Sequence, residues 1–173
     1  FFERGNTNFI QAEAKYRDFL NRFPTSAQAA YAQFQIASSL AERVERPDRD
    51  QGTTRKALAS YQDLLRLFPT SEYAAQAREK ISSVRLNLAE HEFVVGRFYL
   101  RFGAPKAAVG RFESILKDYP EYLDKDKVIY HLGLALSANE EPDAAQKAFE
   151  RLRTEYPQSR YLEEVPKQRE VTR

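Results

Sequence analysis

The sequence predicts an all-α protein in which pairs of neighbouring helices stack one behind another as an α-solenoid. A short phrase recurs four times in one phase: an Ala, an aromatic residue four positions later, and a Pro twelve positions after the Ala. No stretch alternates apolar and polar residues as a half-buried strand does. The chain has only 6 Gly, 42% apolar residues and 30% charged residues, a balance that suits packed helices with charged outer faces.

The four copies of the phrase predict repeated helix–turn–helix units. They are Ala12–Pro24, Ala57–Pro69, Ala108–Pro120 and Ala145–Pro157. The third copy is the most complete, because Gly96 and Ala108 are small enough to let two helices approach closely while Phe112 fills the space beside them. Pro120 cannot donate a helical hydrogen bond, so it ends the second helix. This pattern is typical of the tetratricopeptide repeat (TPR).

The phrase divides residues 1–173 into a single TPR array. Its predicted units are about 1–24, 27–69, 88–120 and 124–157, followed by a tail at 158–173. Residues 1–5 look like the stub of a first helix, and Asn6–Asn8 like the turn after it. Because the stub lacks its beginning and the chain lacks Met, we expect a preceding repeat and any anchor to be missing. The tail begins a helix at Tyr161-Leu162 and is expected to fray after Pro166.

A charged segment, Glu42–Thr54, stands where a TPR normally has only a short turn. Its Pro, its Gly and its charge density exclude a helix packed on both sides, so it is predicted to be an exposed loop. Asp48 and Asp50 either bracket Arg49 in water or pair with a basic neighbour and order the loop. The structural role is favoured, because an exposed loop of this length needs ordering.

Two helix boundaries follow from the residues around this loop and beyond it. Thr53 or Thr54 is a suitable N-cap for the next helix. From Glu72 to Phe102 no Pro interrupts the sequence, which predicts an unusually long helix, either continuous or kinked near Asn87.

Composition and motifs favour no enzymatic, metal-binding or cofactor-binding function. Cys is absent, which excludes disulfides, thiolate chemistry and Cys-based metal sites, and no phosphate-binding Gly loop or nucleophile elbow is present. His91 and His131 lie in different repeats and are predicted to be surface or rim side chains. The net charge of +2 does not by itself imply nucleic acid or an anionic membrane, and no apolar run is long enough to span a bilayer.

The first helices of the TPR units are expected to line a concave groove. Aromatic anchors interleaved with Arg and Lys suit an extended peptide that carries an apolar side chain and a carboxylate. The alternative is that Arg97 and Arg101 only solubilise the surface. The candidate groove residues, with Lys127 beside them, are Phe93, Arg97, Leu100, Arg101, Tyr130, His131, Tyr31 and Phe34.

Three local matches are narrower than the TPR pattern. They are DRDQ at Asp48–Gln51, FPTSEYAAQA at Phe68–Ala77 and LAEHEFVVGRFYLRFGA at Leu88–Ala104. Together they resemble the BamD family, the TPR lipoproteins of the bacterial outer-membrane β-barrel assembly machine. The resemblance implies a scaffold without enzymatic activity at the periplasmic face of the outer membrane. Its implied partners are the last POTRA domain of BamA, other lipoproteins of the machine and unfolded outer-membrane proteins.

The resemblance also implies a membrane connection through a lipidated Cys that this chain lacks, and a binding residue. In the family an Arg on the second helix of the third unit faces the POTRA partner, and Arg111 is the matching position. The inward positions are predicted to be Ala108, Phe112, Ile115 and Leu116. Arg111 therefore falls beside the core stripe, and its replacement is expected to leave stability nearly unchanged.

A second function stays open, that of a free TPR adaptor that binds peptide tails, as the Tol–Pal-associated TPR protein does. Regular peptide-binding arrays keep a constant period. The inserted loop and the long helix therefore favour the BamD-like function.

Overall fold

The structure is a computed structural model that describes the backbone of residues 2–166 and the side chains of residues 8–166. Within this range it contains seven α-helices, one short 3₁₀ helix and no strand, which confirms the predicted all-α fold. The α-helices are α1 Phe2–Arg22, α2 Ala29–Ala41, α3 Gly52–Leu67, α4 Ala74–Arg101, α5 Pro105–Asp118, α6 Lys125–Ala138 and α7 Pro142–Glu155. The 3₁₀ helix is Arg160–Leu162.

Proline positions explain most of the helix boundaries. The helices α1, α3, α5 and α7 each end two residues before the Pro of their repeat phrase. A Pro disfavours helical conformation in the residue before it and cannot donate the next backbone hydrogen bond. Pro105 and Pro142 instead stand at the first turns of α5 and α7, where the missing N–H costs nothing.

The chain divides into two compact units, one up to His91 and one from Glu92 onward. In the first unit α2 packs against both α1 and α3. Its core holds two apolar clusters, one around Tyr61 and Leu64 and one around Ile36 and Leu40, all 0–1% exposed.

In the second unit α6 packs against both α5 and α7, and each first helix contributes a glycine to an aromatic contact. A Cβ on Gly96 would lie 2.7 Å from Cε1 of Phe112, and one on Gly133 would lie 2.5 Å from Cε1 of Phe149. Both distances are shorter than a real Cβ contact allows. The close helix approach predicted at Gly96 is therefore confirmed, and it recurs in the next repeat.

Three predicted boundaries are wrong. Helix α1 runs unbroken from Phe2 to Arg22, because Asn6–Asn8 contains no Pro and each of its N–H groups can continue the helical ladder. Gln51, not a Thr, occupies the N-cap of α3; Thr54 lies within the first turn and is fully buried. The helix expected at Tyr161-Leu162 is only a single 3₁₀ turn.

Two other expectations concern long segments. The predicted long helix is present as α4, which has 28 residues and keeps helical hydrogen bonding throughout. The fraying predicted for the end of the tail falls on residues 167–173, which lie outside the described residues.

Candidate interaction site

Arg111 on α5 forms an ion pair with Glu92 on α4. Its Nη1 lies 2.6 Å from Glu92 Oε2, and the two side chains are 41% and 13% exposed. The hydrogen bond to Glu92 is the main cause that raises the pKa of Arg111 further above its ordinary value, so the guanidinium stays charged. Half of this side chain therefore faces solvent while one edge is held by a carboxylate of its own chain.

Tyr99 completes the arrangement around Arg111. Its hydroxyl interacts with the guanidinium and makes a smaller contribution to the raised pKa of Arg111. The sequence predicts that Tyr99 is buried, as Tyr61, Phe112 and Phe149 are, but Tyr99 is only half-buried. A partly buried tyrosine hydroxyl usually has a hydrogen-bonding partner, and here that partner is the Arg111 guanidinium.

This geometry corrects the expected effect of replacing Arg111. Glu92 is mostly shielded from solvent, so its carboxylate depends on Arg111 for charge compensation. A carboxylate placed at position 111 would repel Glu92 and destabilise the fold. The sequence leads to the expectation that Arg111→Glu leaves stability nearly unchanged, whereas the ion pair with Glu92 leads us to expect a loss of stability.

The predicted groove residues do not form one exposed aromatic surface. Phe34 is 7% exposed and Phe93 only 2% exposed, so both rings belong to cores. Phe34 stacks on Tyr73 with ring centroids 5.2 Å apart, and half-buried Tyr31 lies 5.8 Å from the same ring. Phe34, Tyr31 and Tyr73 therefore pack with one another in the first unit and offer little exposed aromatic surface to a peptide.

In the second unit the structure brings several of the predicted groove residues together. Lys127 Nζ lies 4.2 Å from the centroid of Phe93, and the Arg97 guanidinium carbon lies 5.9 Å from it. The His131 ring meets the same ring edge-on at 5.0 Å. Arg97 is exposed, and it is the candidate on this face best placed to meet a ligand.

The other three candidates in this unit differ in exposure. Tyr130 is 8% exposed and stacks on Tyr161, Leu100 is half-buried, and Arg101 is exposed with its guanidinium 5.7 Å from the Phe102 ring.

The sequence predicts that His131 is a surface or rim side chain, and in the structure it is half-buried. Its ring packs among Phe93, Phe112, Tyr130 and Tyr161. Its Nδ1 lies 2.8 Å from the carbonyl oxygen of residue 127, and because a carbonyl only accepts, Nδ1 carries the proton. Burial is the main cause that lowers the pKa of His131, so the imidazole is neutral at pH 7.

His91 anchors the charged loop onto α4. Its Nδ1 donates to the carbonyl oxygen of Pro47 at 2.6 Å, and Asn87 Nδ2 donates to the carbonyl oxygen of Glu45 at 3.2 Å. Residues 42–51 are non-helical as predicted, but the predicted loop is too long, because residues 52–54 form the first turn of α3. Charged side chains of residues 42–51 are mostly exposed, and the backbone is attached to α4 at two points. The sequence contains a signal for this, since both donors lie one helical turn apart on α4.

Gln51 orders the loop from within. Its Nε2 donates to the carbonyl oxygens of Arg46 and Arg49 at 2.9 and 3.0 Å, and its Oε1 accepts from Thr54 at 2.7 Å. Asp48 makes an exposed ion pair with Arg46 at 3.3 Å. The structural role favoured for Asp48–Gln51 is therefore supported. Most of the hydrogen bonds that order the loop come from the buried side-chain amide of Gln51.

Sequence reasoning missed Glu92 and the exposed aromatic pair Phe98 and Phe102. Glu92 lies in a charged run that offered no sign of pairing with Arg111. Phe98 and Phe102 are 55% and 65% exposed, whereas their apolar character favours burial. Only the direction in which each side chain projects from α4 separates these rings from the buried Phe93.

The described residues contain no group of three or more His, Asp or Glu side chains placed to hold a metal ion. None of the helices in residues 2–166 combines the length and the apolar character that crossing a bilayer requires.

Antiparallel helix pairs with glycine–aromatic contacts define a TPR-type fold. A sequence profile of the tetratricopeptide repeat matches residues 127–159. A second profile, of a family described as an outer membrane lipoprotein, matches residues 5–128. The chain belongs to this family, the BamD family of outer-membrane protein assembly factors.

Three curated relatives agree with the profile. The chain is 41% identical to the putative outer membrane protein assembly factor BamD of Aquifex aeolicus over 123 residues, which cover 71% of this chain and 40% of the relative. It is 33% identical to BamD of Caulobacter vibrioides over 126 residues, or 71% of this chain and 41% of the relative. It is 31% identical to BamD of Rickettsia prowazekii over 143 residues, or 83% and 57%. The chain thus spans well under two thirds of each relative.

Proposed function

We propose that this chain is a scaffold module of the β-barrel assembly machine, without enzymatic activity, that docks on the POTRA region of a BamA-type partner. Membership of the BamD family supports a role in outer-membrane protein assembly. The half-exposed Arg111 carries the docking proposal, because it occupies the position that faces the POTRA partner in the resemblance.

The local geometry suits Arg111 to bind a partner carboxylate. Glu92 and Tyr99 hold the guanidinium in one place, so little side-chain entropy is lost when a partner arrives. An Arg guanidinium has five N–H donors in a fixed fork, and one edge remains available after pairing with Glu92. The partner supplies a second carboxylate, which shares the cation with Glu92.

The family match supports the remaining parts of the proposal. The module works at the periplasmic face of the outer membrane beside other lipoproteins of the machine. Its connection to the bilayer is a lipid anchor carried outside these residues.

A titration of the purified chain with the last POTRA domain of the BamA-type protein from the same genome tests the docking proposal directly. Saturable binding with one-to-one stoichiometry is expected. Absence of binding at protein concentrations well above the micromolar range would reject it.

The cationic face at Phe93 favours an additional role in receiving unfolded outer-membrane protein segments. Arg97 is exposed beside this ring, with its guanidinium carbon 5.9 Å from the ring centroid, and it offers positive charge to a carboxylate of an extended chain. Photo-crosslinking from position 97 to an unfolded barrel substrate tests this role, and crosslinks no stronger than from exposed position 113 would reject it.

A further inference from the structure

Two aromatic rings stand exposed together on the last turns of α4. Phe98 and Phe102 are 55% and 65% exposed, and their ring centroids lie 4.4 Å apart. Phe93 and Phe112 in the same unit are 2% and 0% exposed. A single exposed apolar side chain is ordinary, but a paired aromatic surface that no described core uses marks a contact site.

The sequence segment that carries the two rings has basic residues and no acidic ones. Residues 97–110 include Arg97, Arg101 and Lys106 but no Asp or Glu. The Arg101 guanidinium carbon lies 5.7 Å from the centroid of the Phe102 ring, so a cation borders the aromatic surface directly. The complementary partner therefore presents an apolar recess bordered by carboxylates.

The aromatic pair is continuous with the Arg111 site. Phe98 meets Tyr99 at a centroid distance of 6.0 Å, and the Tyr99 hydroxyl interacts with the Arg111 guanidinium. Aromatic and Arg side chains are the residue types that dominate binding energy at protein interfaces. One surface thus combines a charged anchor with two aromatic anchors.

The backbone beneath the pair is hydrogen-bonded through the last turn of α4. The amide of Phe102 donates to the carbonyl oxygen of Phe98 at 3.0 Å, and that of Ala104 donates to the carbonyl oxygen of Tyr99 at 2.9 Å. Gly103 takes a φ of 75°, which closes the helix with the left-handed residue that such an end requires. The backbone that carries the two rings is therefore held by hydrogen bonds up to the end of α4.

We propose that Phe98 and Phe102 are the apolar anchors of the POTRA interface and insert into an acid-bordered apolar recess of that partner. This inference rests on the proposed function, because it names further residues of the same docking site. It commits to the partner protein and not to a lipid surface, because the aromatic pair adjoins Arg111. In this proposal the cations near the pair meet carboxylates of the partner protein.

The test compares four proteins in titrations with the last POTRA domain: the parent, Phe98→Ala/Phe102→Ala, Arg111→Gln, and Leu123→Ala as a matched control. Leu123 is 84% exposed and lies in the loop between α5 and α6, so its variant removes exposed apolar surface elsewhere in the unit. The double Phe variant is expected to lose about tenfold or more in affinity with an unchanged melting temperature. The Leu123 variant is expected to bind as the parent does.

The outcomes separate this inference from the function on which it rests. If Arg111→Gln weakens binding and the double Phe variant binds as tightly as the parent, the aromatic anchors are rejected and the docking function stands. If the parent does not bind, both are rejected. If the double Phe variant instead loses binding to vesicles of phosphatidylglycerol while its POTRA affinity is unchanged, the pair faces a membrane and the inference is rejected.

Discussion

Gly133 lies directly against the ring of Phe149, so closely that a Cβ on Gly133 would stand 2.5 Å from Cε1 of that ring. Phe149 is only 7% exposed and packs with buried Tyr130, which leaves the ring little room to move away. This contact explains why the repeat requires a small residue on its first helix. It also gives the fold its sharpest test.

Gly133→Ala is expected to destabilise the protein by about 1–3 kcal/mol, because the added methyl group overpacks a filled space. Gly110→Ala is the matched control, since Gly110 also lies within a helix but has no atom within 4 Å of the Cβ position. That control is expected to gain roughly 0.5–1 kcal/mol from the better helix propensity of Ala. Denaturant unfolding measures both changes, and equal effects of the two substitutions would contradict the predicted packing.

Gln51→Ala is expected to release the charged loop. Gln51 is 1% exposed, and its removal leaves the carbonyl oxygens of Arg46 and Arg49 without their side-chain donor. Trypsin should then cut after Arg49 several-fold faster than in the parent, because the loop must open to enter the protease. The control is Gln62→Ala, which changes an exposed residue on α3, and trypsin should cut it at the parental rate. A cleavage rate in the Gln51 variant equal to the parent's would show that the contacts to α4 alone hold the loop.

The protein is expected to lose stability in mild acid because of His131. Burial lowers the folded pKa of His131 below the unfolded value of about 6.5, and the charges of Arg97 and Lys127 add to the lowering. The hydrogen bond to the carbonyl oxygen of residue 127 and the charge of Glu164 oppose it. As the pH falls through about 6.5, His131 becomes protonated in the unfolded chain but stays neutral in the folded chain. The free energy of unfolding therefore decreases until the pH has passed the folded pKa.

The stability of the parent and of His131→Phe should therefore diverge between pH 7.5 and pH 5.5. The Phe variant keeps an aromatic ring in the cluster but has nothing to protonate, so it should lose less stability than the parent over this range. Denaturant unfolding at both pH values measures the difference. Identical pH dependence in the two proteins would mean that the imidazole does not carry the effect.

The fold was more predictable than the site. The spacing of small residue, aromatic and Pro determines where helices pack and end, and it is visible in the residues themselves. The turn at Asn6–Asn8 was mispredicted because Asn favours turns only weakly when the helical ladder can continue through it. Residues of one type also behave differently according to their position on the helix, as buried Phe93 and exposed Phe98 illustrate.

The site was less predictable because it depends on pairs from different helices. Glu92 is 19 positions before Arg111, and no periodic pattern links a carboxylate on α4 to a cation on α5. The aromatic packing around His131 was not predictable for a related reason. The rings that bury it come from α4, α5, α6 and the 3₁₀ helix, and only the packed structure brings them together.

The docking function is tested most directly by a variant that removes the Arg111 charge without stranding Glu92. Arg111→Gln/Glu92→Gln replaces the ion pair with two neutral amides, so it avoids a buried carboxylate that has lost its partner. Arg151→Gln is the matched control, because Arg151 also pairs with a Glu on its own chain and is 46% exposed on α7.

The measurement is a titration of the parent and both variants with the last POTRA domain, beside a melting curve of each protein. We expect the double variant to lose more than tenfold in affinity for the POTRA domain while its melting temperature stays close to the parent's. We expect Arg151→Gln to bind with unchanged affinity. Parental affinity in the double variant would contradict the assignment of Arg111 as the docking residue.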